Sequence, residues 1–472
     1  MNHRSHFTRI APNRHIATWL VSLLALMLSL GALTARAQAS FGIETMEASA
    51  SNPDASPDTQ AGSHPYTLTI AMALDRKPLT QRQREDGLGD SGPLGQEIAE
   101  GDPKNVETTL PAGIMVDLLG VPRCPEQQLA RQECQAASQV GVISIDSPFA
   151  LLPLVGQTPV FNIAPSSPKV AGALGFTVGG VGFIAHLVGS DHAGGDYGIS
   201  ALVSGIPQVP DADGLTLTLW GEPSAPSHCH QTATGGPCVA VPRVTEAFLT
   251  MPTSCPANAT TAEQHEASVS ATADSWQEPG SWTPLTYSAP LPALGGCERL
   301  SFTPSIEVQP ETATVDEPTG LAIVMKLPQN EAAGSLAEPT LREALISLPS
   351  GLAVSPSAAS GLEACSEAQV ALHSPAPTTC PGASRIGTVE ARTPLLDHAV
   401  YGSVYIAQQG NGGPAQGSNP FGGLLAIYIV VEGNGVQIKL AGEVNLNQAT
   451  GQITARFPNL PQVPYSTLTI RF

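Results

Sequence analysis

Leu424-Leu-Ala-Ile-Tyr-Ile-Val-Val431, Glu432-Gly-Asn-Gly435, Val436-Gln-Ile-Lys-Leu-Ala-Gly-Glu-Val-Asn-Leu446, Asn447-Gln-Ala-Thr-Gly451 and Gln452-Ile-Thr-Ala-Arg-Phe457 follow one another without a break. Three runs rich in apolar and β-branched residues are separated by two turns built from Gly and Asn. An Asn-Gly pair between such runs is a strong hairpin signal, because a tight turn that matches strand twist needs positive φ at both central residues. The spacing predicts an antiparallel meander of three strands.

Working outward from this meander, its last strand has a counterpart earlier in the chain. Ile453-Thr-Ala-Arg-Phe-Pro-Asn-Leu-Pro-Gln-Val-Pro464 aligns without gaps on Ile199-Ser-Ala-Leu-Val-Ser-Gly-Ile-Pro-Gln-Val-Pro210, with six of twelve positions identical. Further matches precede it in the same order. Pro65-Tyr-Thr-Leu-Thr-Ile-Ala-Met-Ala-Leu74 pairs with Pro318-Thr-Gly-Leu-Ala-Ile-Val-Met-Lys-Leu327, and Leu110-Pro-Ala-Gly113 with Leu348-Pro-Ser-Gly351. Cys124-Pro-Glu-Gln-Gln pairs with Cys365-Ser-Glu-Ala-Gln, and Ser138-Gln-Val-Gly-Val142 with Ser384-Arg-Ile-Gly-Thr388. Chance similarity does not preserve order, so residues from about 41 to 220 and from about 302 to 472 read as two copies of one fold.

Leu68, Ile70, Met72 and Leu74 alternate with smaller or polar residues, and Leu321, Ile323, Met325 and Leu327 repeat that spacing. Only the two Cys-x-Glu-x-Gln stretches suggest short helices outside the leader. The expected fold class is all-β, with two homologous β-sandwich domains and an intervening disulfide-linked module. The boundaries read as a leader over 1–37, a lead-in over 38–65, a first sandwich over 66–220 with a start as early as 41, the module over 221–301, and a second sandwich over 302–472. The module is either a separate unit or an insertion packed on the first sandwich. Residues 45–64 and 76–104 read as loops without a core of their own.

Composition limits the partners. The 472 residues carry 21 Lys plus Arg against 40 Asp plus Glu, a net charge of −19, which repels nucleic acid and anionic lipid. Charged residues are 13% and hydrophobic ones 42%, so the chain can bury a core and is not a charge-rich disordered protein. Arg4, Arg9 and Arg14 precede an apolar run from Ile16 to Leu33 and then Ala35-Arg36-Ala37, the pattern of a signal peptide cut after Ala37. No membrane span is expected after cleavage. Export permits disulfides. Eight cysteines allow 105 connectivities, but the repeat-equivalent positions favour local pairs: Cys124 with Cys134, Cys365 with Cys380, then Cys229 with Cys238 and Cys255 with Cys297.

Residue types suited to chemistry occur in several places, each with a plainer structural role beside it. His228-Cys229-His230 with Cys238 has metal-ligand types, but an oxidised Cys229–Cys238 pair removes the thiolates. Asp211-Ala-Asp213-Gly214 is a fragment of a calcium loop without its distal Glu, and reads as a turn. Ser190-Asp191-His192, and Ser63-His64 with Asp58, contain triad residue types but neither sits in a nucleophile elbow. Gly172, Gly175, Gly179, Gly180 and Gly182 lack the Lys-Ser/Thr and helix of a phosphate loop. Trp276 and Trp282, with Tyr287, are candidates for a sugar-stacking platform, although buried core is the commoner use of Trp in a cross-linked module. No catalytic residue, metal site or cofactor is assigned.

Phe41-Gly-Ile-Glu44, Asp58-Thr-Gln-Ala-Gly-Ser-His-Pro-Tyr66, Gly194-Gly-Asp-Tyr-Gly198, Leu215-Thr-Leu-Thr-Leu-Trp-Gly221, Asp274-Ser-Trp276 and Asn419-Pro-Phe-Gly422 together give the chain a resemblance to a group of secreted, repeat-containing β-rich bacterial proteins with no assigned function. The resemblance implies fold and export and carries no catalytic residue to transfer. Members of that group continue with further β domains, which leaves open whether Phe472 is the natural end.

The expectation is an exported, non-enzymatic cell-surface or extracellular protein that acts in scaffolding or adhesion, with an extracellular protein or glycan as partner. Carbohydrate binding through Trp276 and Trp282 is the alternative, and a secreted hydrolase is the third class.

Overall fold

The computed structural model describes residues 41–82, 97–147, 156–191, 197–208, 212–255, 267–284, 287–353, 360–410 and 419–472. The leader lies outside them. The fold is all-β with four disulfides. Strands β1 (Ile43–Ser51), β2 (Thr67–Leu74), β3 (Pro103–Thr109), β4 (Gln139–Asp146), β5 (Thr158–Ile163), β6 (Gly172–Val178), β7 (Val181–Asp191), β8 (Tyr197–Ser204) and β9 (Gly214–Trp220) form the first half. The segment between the halves contributes, among shorter strands, β10 (Ser268–Ser275) and β11 (Ser288–Pro290). The second half contains β12 (Ser305–Pro310), β13 (Leu321–Lys326), β14 (Ala344–Ser347), β15 (Arg385–Arg392), β16 (Val400–Ile406), β17 (Leu425–Gly433), β18 (Val436–Leu446), β19 (Ile453–Phe457) and β20 (Thr467–Arg471).

The first half pairs in the order β1-β2-β9-β4-β5-β6-β7-β8-β3. The second pairs in the order β12-β13-β20-β15-β16-β17-β18-β19-β14, which is the same order strand for strand. Agreement reaches individual atoms. Leu110 N donates to Ile199 O at 2.9 Å, and Leu348 N to Ile453 O at 2.9 Å. Gly141 and Gly387 each sit at a register shift. A Cβ there would lie 2.3 Å from Thr218 O and 2.5 Å from Arg471 O respectively, so neither position admits a side chain. Short helices α1 (Glu126–Ala130) and α2 (Glu367–Val370) occupy equivalent places, each beside its disulfide.

Each half has its own apolar core, drawn from strands distant in pairing order, so each sheet rolls over on itself. In the second half Leu321, Val389, Val404, Ile429, Phe457 and Ile470 pack together. The meander read from sequence is β17, β18 and β19, and Asn434 and Gly435 turn it with φ of 52° and 72°.

The loop readings of 45–64 and 76–104 change, and the place of 221–301, left open between a separate unit and an insertion, is seen in the packing. Residues 45–64 contain most of β1, whose Met46, Ala48 and Ala50 join the first core, so the first half begins near 41. Small Ala and Ser residues hid this strand from a hydrophobicity reading. Residues 76–104 include a paired ribbon, Arg76–Pro78 with Glu97–Ala99. Residues 221–301 do not stand apart. β10 hydrogen-bonds to β3, Leu249–Thr250 pairs with Met115–Val116, and Phe248, Met251, Val269 and Leu291 enter the first core. Residues 41–472 form one compact unit. The halves meet where β7 lies parallel to β18 at Gly189 and Val436, and Arg123 Nη2 donates to both oxygens of Asp397 at 3.0 and 2.9 Å.

Candidate functional site

The same nine-strand order gives two sets of equivalent positions whose surroundings differ. In the first half β3 carries β10 on its outer edge, with Thr108 opposite Ala271 and Val106 opposite Ala273. Ile43 of β1 shares an apolar cluster with Ala271 and Ala273, so the same segment covers β1 as well. The chain folds this way locally because β10, Ser-Val-Ser-Ala-Thr-Ala-Asp-Ser, has small side chains that fit between two strand edges.

No described segment takes that place in the second half. β14, equivalent to β3, pairs with β19 alone, and Leu345 on its outer face is 66% exposed. β12, equivalent to β1, pairs with β13 alone and all six of its residues are exposed. Ile306 lies opposite Met325, as Met46 lies opposite Met72 in the first half. Val308 lies opposite Ile323, as Ala48 lies opposite Ile70. Met46 and Ala48 pack on a core, whereas Ile306 and Val308 are 50% and 37% exposed. Two strand edges and an apolar strip therefore face solvent where the first half is closed. A row of unpaired N–H and C=O groups beside apolar side chains is a template for another strand.

The residues singled out from sequence have structural roles. All four disulfides form in the expected pairs, Cys124–Cys134, Cys229–Cys238, Cys255–Cys297 and Cys365–Cys380. His228 is stacked between Tyr66 and Trp220, with both ring centroids 4.4 Å from its own. Burial, reinforced by His230, pushes its imidazole down to about 4. His230 is buried, with Nδ1 3.0 Å from Ala136 O and Nε2 2.6 Å from Pro223 O. Both its nitrogens are thus engaged by carbonyls, and with Cys229 oxidised the cluster has no ligand set to offer a metal. Among the described residues no group of His, Cys, Asp and Glu is arranged to hold a metal ion.

Ser63 Oγ donates to Asp58 Oδ2 at 2.7 Å, while the His64 ring turns to Leu249 O at 3.0 Å and Thr250 Oγ1 at 3.2 Å. That is a turn clamp, not a relay from Ser through His. Asp213 is buried, accepts from Ala99 N at 2.8 Å, and its carboxyl is raised by burial; Asp211 lies outside the described residues. His192 and the side chains of Ser190 and Asp191 also lie outside them. Gly179 and Gly180 turn the β6–β7 hairpin, and a Cβ on Gly172 or Gly175 would meet Leu118 at 2.1 Å or Leu129 at 2.5 Å. Gly182 lies opposite Thr177 in the same hairpin.

Trp276 and Trp282 are 38% and 42% exposed, which corrects the expectation of core packing. Asp274 is the buried member of its motif: Oδ1 accepts from Asn105 Nδ2 at 2.8 Å and Oδ2 from Gly280 N at 2.6 Å. Holding this turn on the surface leaves the tryptophans outside. Trp276 Nε1 donates to Ile206 O at 2.6 Å and Lys104 Nζ sits 5.0 Å over its ring, while Tyr287 packs into the apolar cluster around Ile43. Among the described residues no ring contact joins Trp276 to Trp282.

Sequence reading missed the open edge itself. It also missed a carboxyl pair, half-buried Glu331 beside buried Asp117, with Glu331 pushed up to about 7 by partial burial and then by Asp117. Nothing local marks two residues so far apart.

No family model, curated protein or solved structure matches this chain. Among the described residues no helix is long and apolar enough to cross a membrane.

Proposed function

We propose that this chain is an exported, non-enzymatic β-repeat protein that acts in extracellular or cell-surface scaffolding by accepting a strand from a partner along β12 and β14. The observation that carries this reading is the contrast between Met46 and Ala48, packed on a core, and Ile306 and Val308, which lie open at equivalent register positions. The partner is an extended protein segment with small or β-branched side chains, by analogy with the Ala271 and Ala273 that cover the first half. The four disulfides fit an oxidising compartment, and the leader pattern fits export. The matched strand order supports descent of the two halves from one repeat.

The experiment compares the secreted wild type with an Ile306→Lys/Leu345→Lys variant. Both positions are exposed, so the substitutions should leave the melting temperature within a degree or two. The expected result is cell-surface retention and hydrogen-exchange protection of residues 305–310 and 344–347 in the wild type, with both lost in the variant. Equal retention by the two proteins, with no protection of either strand, would remove the reading. Protein starting at Met1 in the medium would remove cleavage after Ala37, and its absence from both the medium and the cell surface would remove the export step.

A second reading, glycan binding, is favoured only by the exposure of Trp276 and Trp282. A glycan array in which Trp282→Ala abolishes a signal and Ile306→Lys/Leu345→Lys does not would favour it over strand addition.

A further inference from the structure

An apolar space is left where the core of the second half meets the first half. A cavity of about 190 Å³ lies between Ile429, Val431 and Leu440 on one side and Phe457, Leu468 and Ile470 on another. First-half residues Val116, Leu118 and Leu187 close over it. Val463, Pro464 and Tyr465 belong to its wall and are half-buried, so the cavity reaches toward the surface along that loop.

The two halves explain the void. Both β-hairpins turn on two residues, Gly179-Gly180 and Asn434-Gly435. Counting outward from them, the cross-strand pair Phe176 and Phe183 corresponds to Val431 and Ile438. In the first half these rings stack, with centroids 5.2 Å apart. In the second half the pair at this register position is aliphatic and smaller, and both Val431 and Ile438 border the cavity. An empty apolar void costs stability in proportion to its volume, and a lining of hydrocarbon offers water almost no hydrogen bonds. A space of about this size lined by Leu, Ile and Phe takes up benzene rather than water in engineered proteins.

We infer that this cavity is a binding site for an uncharged apolar molecule, the size of a single aromatic ring or a short alkyl chain. Ala344 and Ile346 border it from the inner face of β14, opposite to the face that carries Leu345, and Leu341 borders it from the segment before that strand. Uptake of such a ligand therefore stands apart from strand addition at the outer edge.

The test uses the full exported chain with toluene as probe and glucose as a polar control, followed by calorimetric titration. The expected result is saturable uptake of one toluene per chain with a negative heat-capacity change, and no uptake of glucose. Val431→Phe/Ile438→Phe restores the first half's aromatic pair and should weaken uptake at least tenfold. If that variant fails to fold, Ala344→Leu fills part of the same space from β14 and should weaken uptake in the same direction. Ile306→Lys/Leu345→Lys should leave uptake unchanged, which separates failure of this site from failure of the strand-addition reading. No saturable uptake by the wild type, or equal uptake in the folded filling variants, would overturn the inference.

Discussion

The Tyr197 hydroxyl serves the backbone of Lys439 twice: it donates to the carbonyl oxygen and accepts from the N–H at 3.0 Å, across 242 residues of sequence. β19 pairs with β18 only as far as Glu443, so no strand of the second half flanks the edge of β18 before that point. Tyr197 and Gly189 of the first half take that place. The side chain of Lys439 is buried as well, its ammonium held by the carbonyls of Ala371, Ser374 and Ala376. One residue of the second half is thus satisfied on its backbone by the first half and on its side chain by the turn after α2.

Tyr197→Phe should therefore be costly although it removes one oxygen. Two buried backbone groups lose their partner, which is worth about 2 kcal/mol. Urea unfolding should show a lower midpoint with an unchanged slope, or a second transition if the halves begin to melt separately. A midpoint equal to the wild type would mean that water replaces the hydroxyl.

The two equivalent hairpins provide an internal control. Gly435 has φ of 72°, and a Cβ there would lie 2.1 Å from Ala171 N; Gly180 has φ of 84°, but its Cβ would meet only Gln132 Nε2, at 3.5 Å. Gly180→Ala should cost the left-handed backbone penalty alone, about 1 kcal/mol. Gly435→Ala adds overpacking against the first half, for a total of about 3 kcal/mol. Equal melting temperatures for the two variants would show that the junction yields freely at Val170 and Ala171.

His228 and Glu331 should tilt stability in opposite directions with pH. His228 is lowered from 6.5 to about 4, so the unfolded chain binds its proton more tightly. Its contribution is complete above 6.5 and is lost as pH falls toward about 4. Glu331 is raised from 4.5 to about 7, so its contribution is complete below 4.5 and is lost as pH rises through about 7. His228→Phe keeps the stack between Tyr66 and Trp220 and should reduce the loss of stability in acid. Glu331→Gln should reduce the loss between pH 4.5 and 7. Denaturation midpoints measured across this range decide both.

Among the disulfides, Cys255–Cys297 spans 42 residues and Cys229–Cys238 spans 9. Loop-closure entropy makes the former worth about 4 kcal/mol and the latter about 3. Replacing each pair by Ala should lower the melting temperature in that order. Cys255–Cys297 also packs against the first core, so its loss should loosen Phe248 and Leu291 as well, seen as faster hydrogen exchange there.

Sequence by itself determined the strand class, the hairpin at Asn434-Gly435, the two short helices and the local disulfides, because each depends on neighbours close in the chain. Comparison of the two copies extended that reach: Leu110 with Leu348 and Ile199 with Ile453 were matched as letters and recur as the same hydrogen bond. Only the tertiary structure decided where β10 goes, because Ser268–Ser275 has few large apolar residues and finds its place through the strand edges it joins. The pairing of Tyr197 with Lys439 and of Glu331 with Asp117 belongs to the same category, since neither partner carries a local pattern that marks it. The open edge at Ile306 and Leu345 is a matter of what lies beside a strand, and a strand's own residues specify its two faces but not its neighbours.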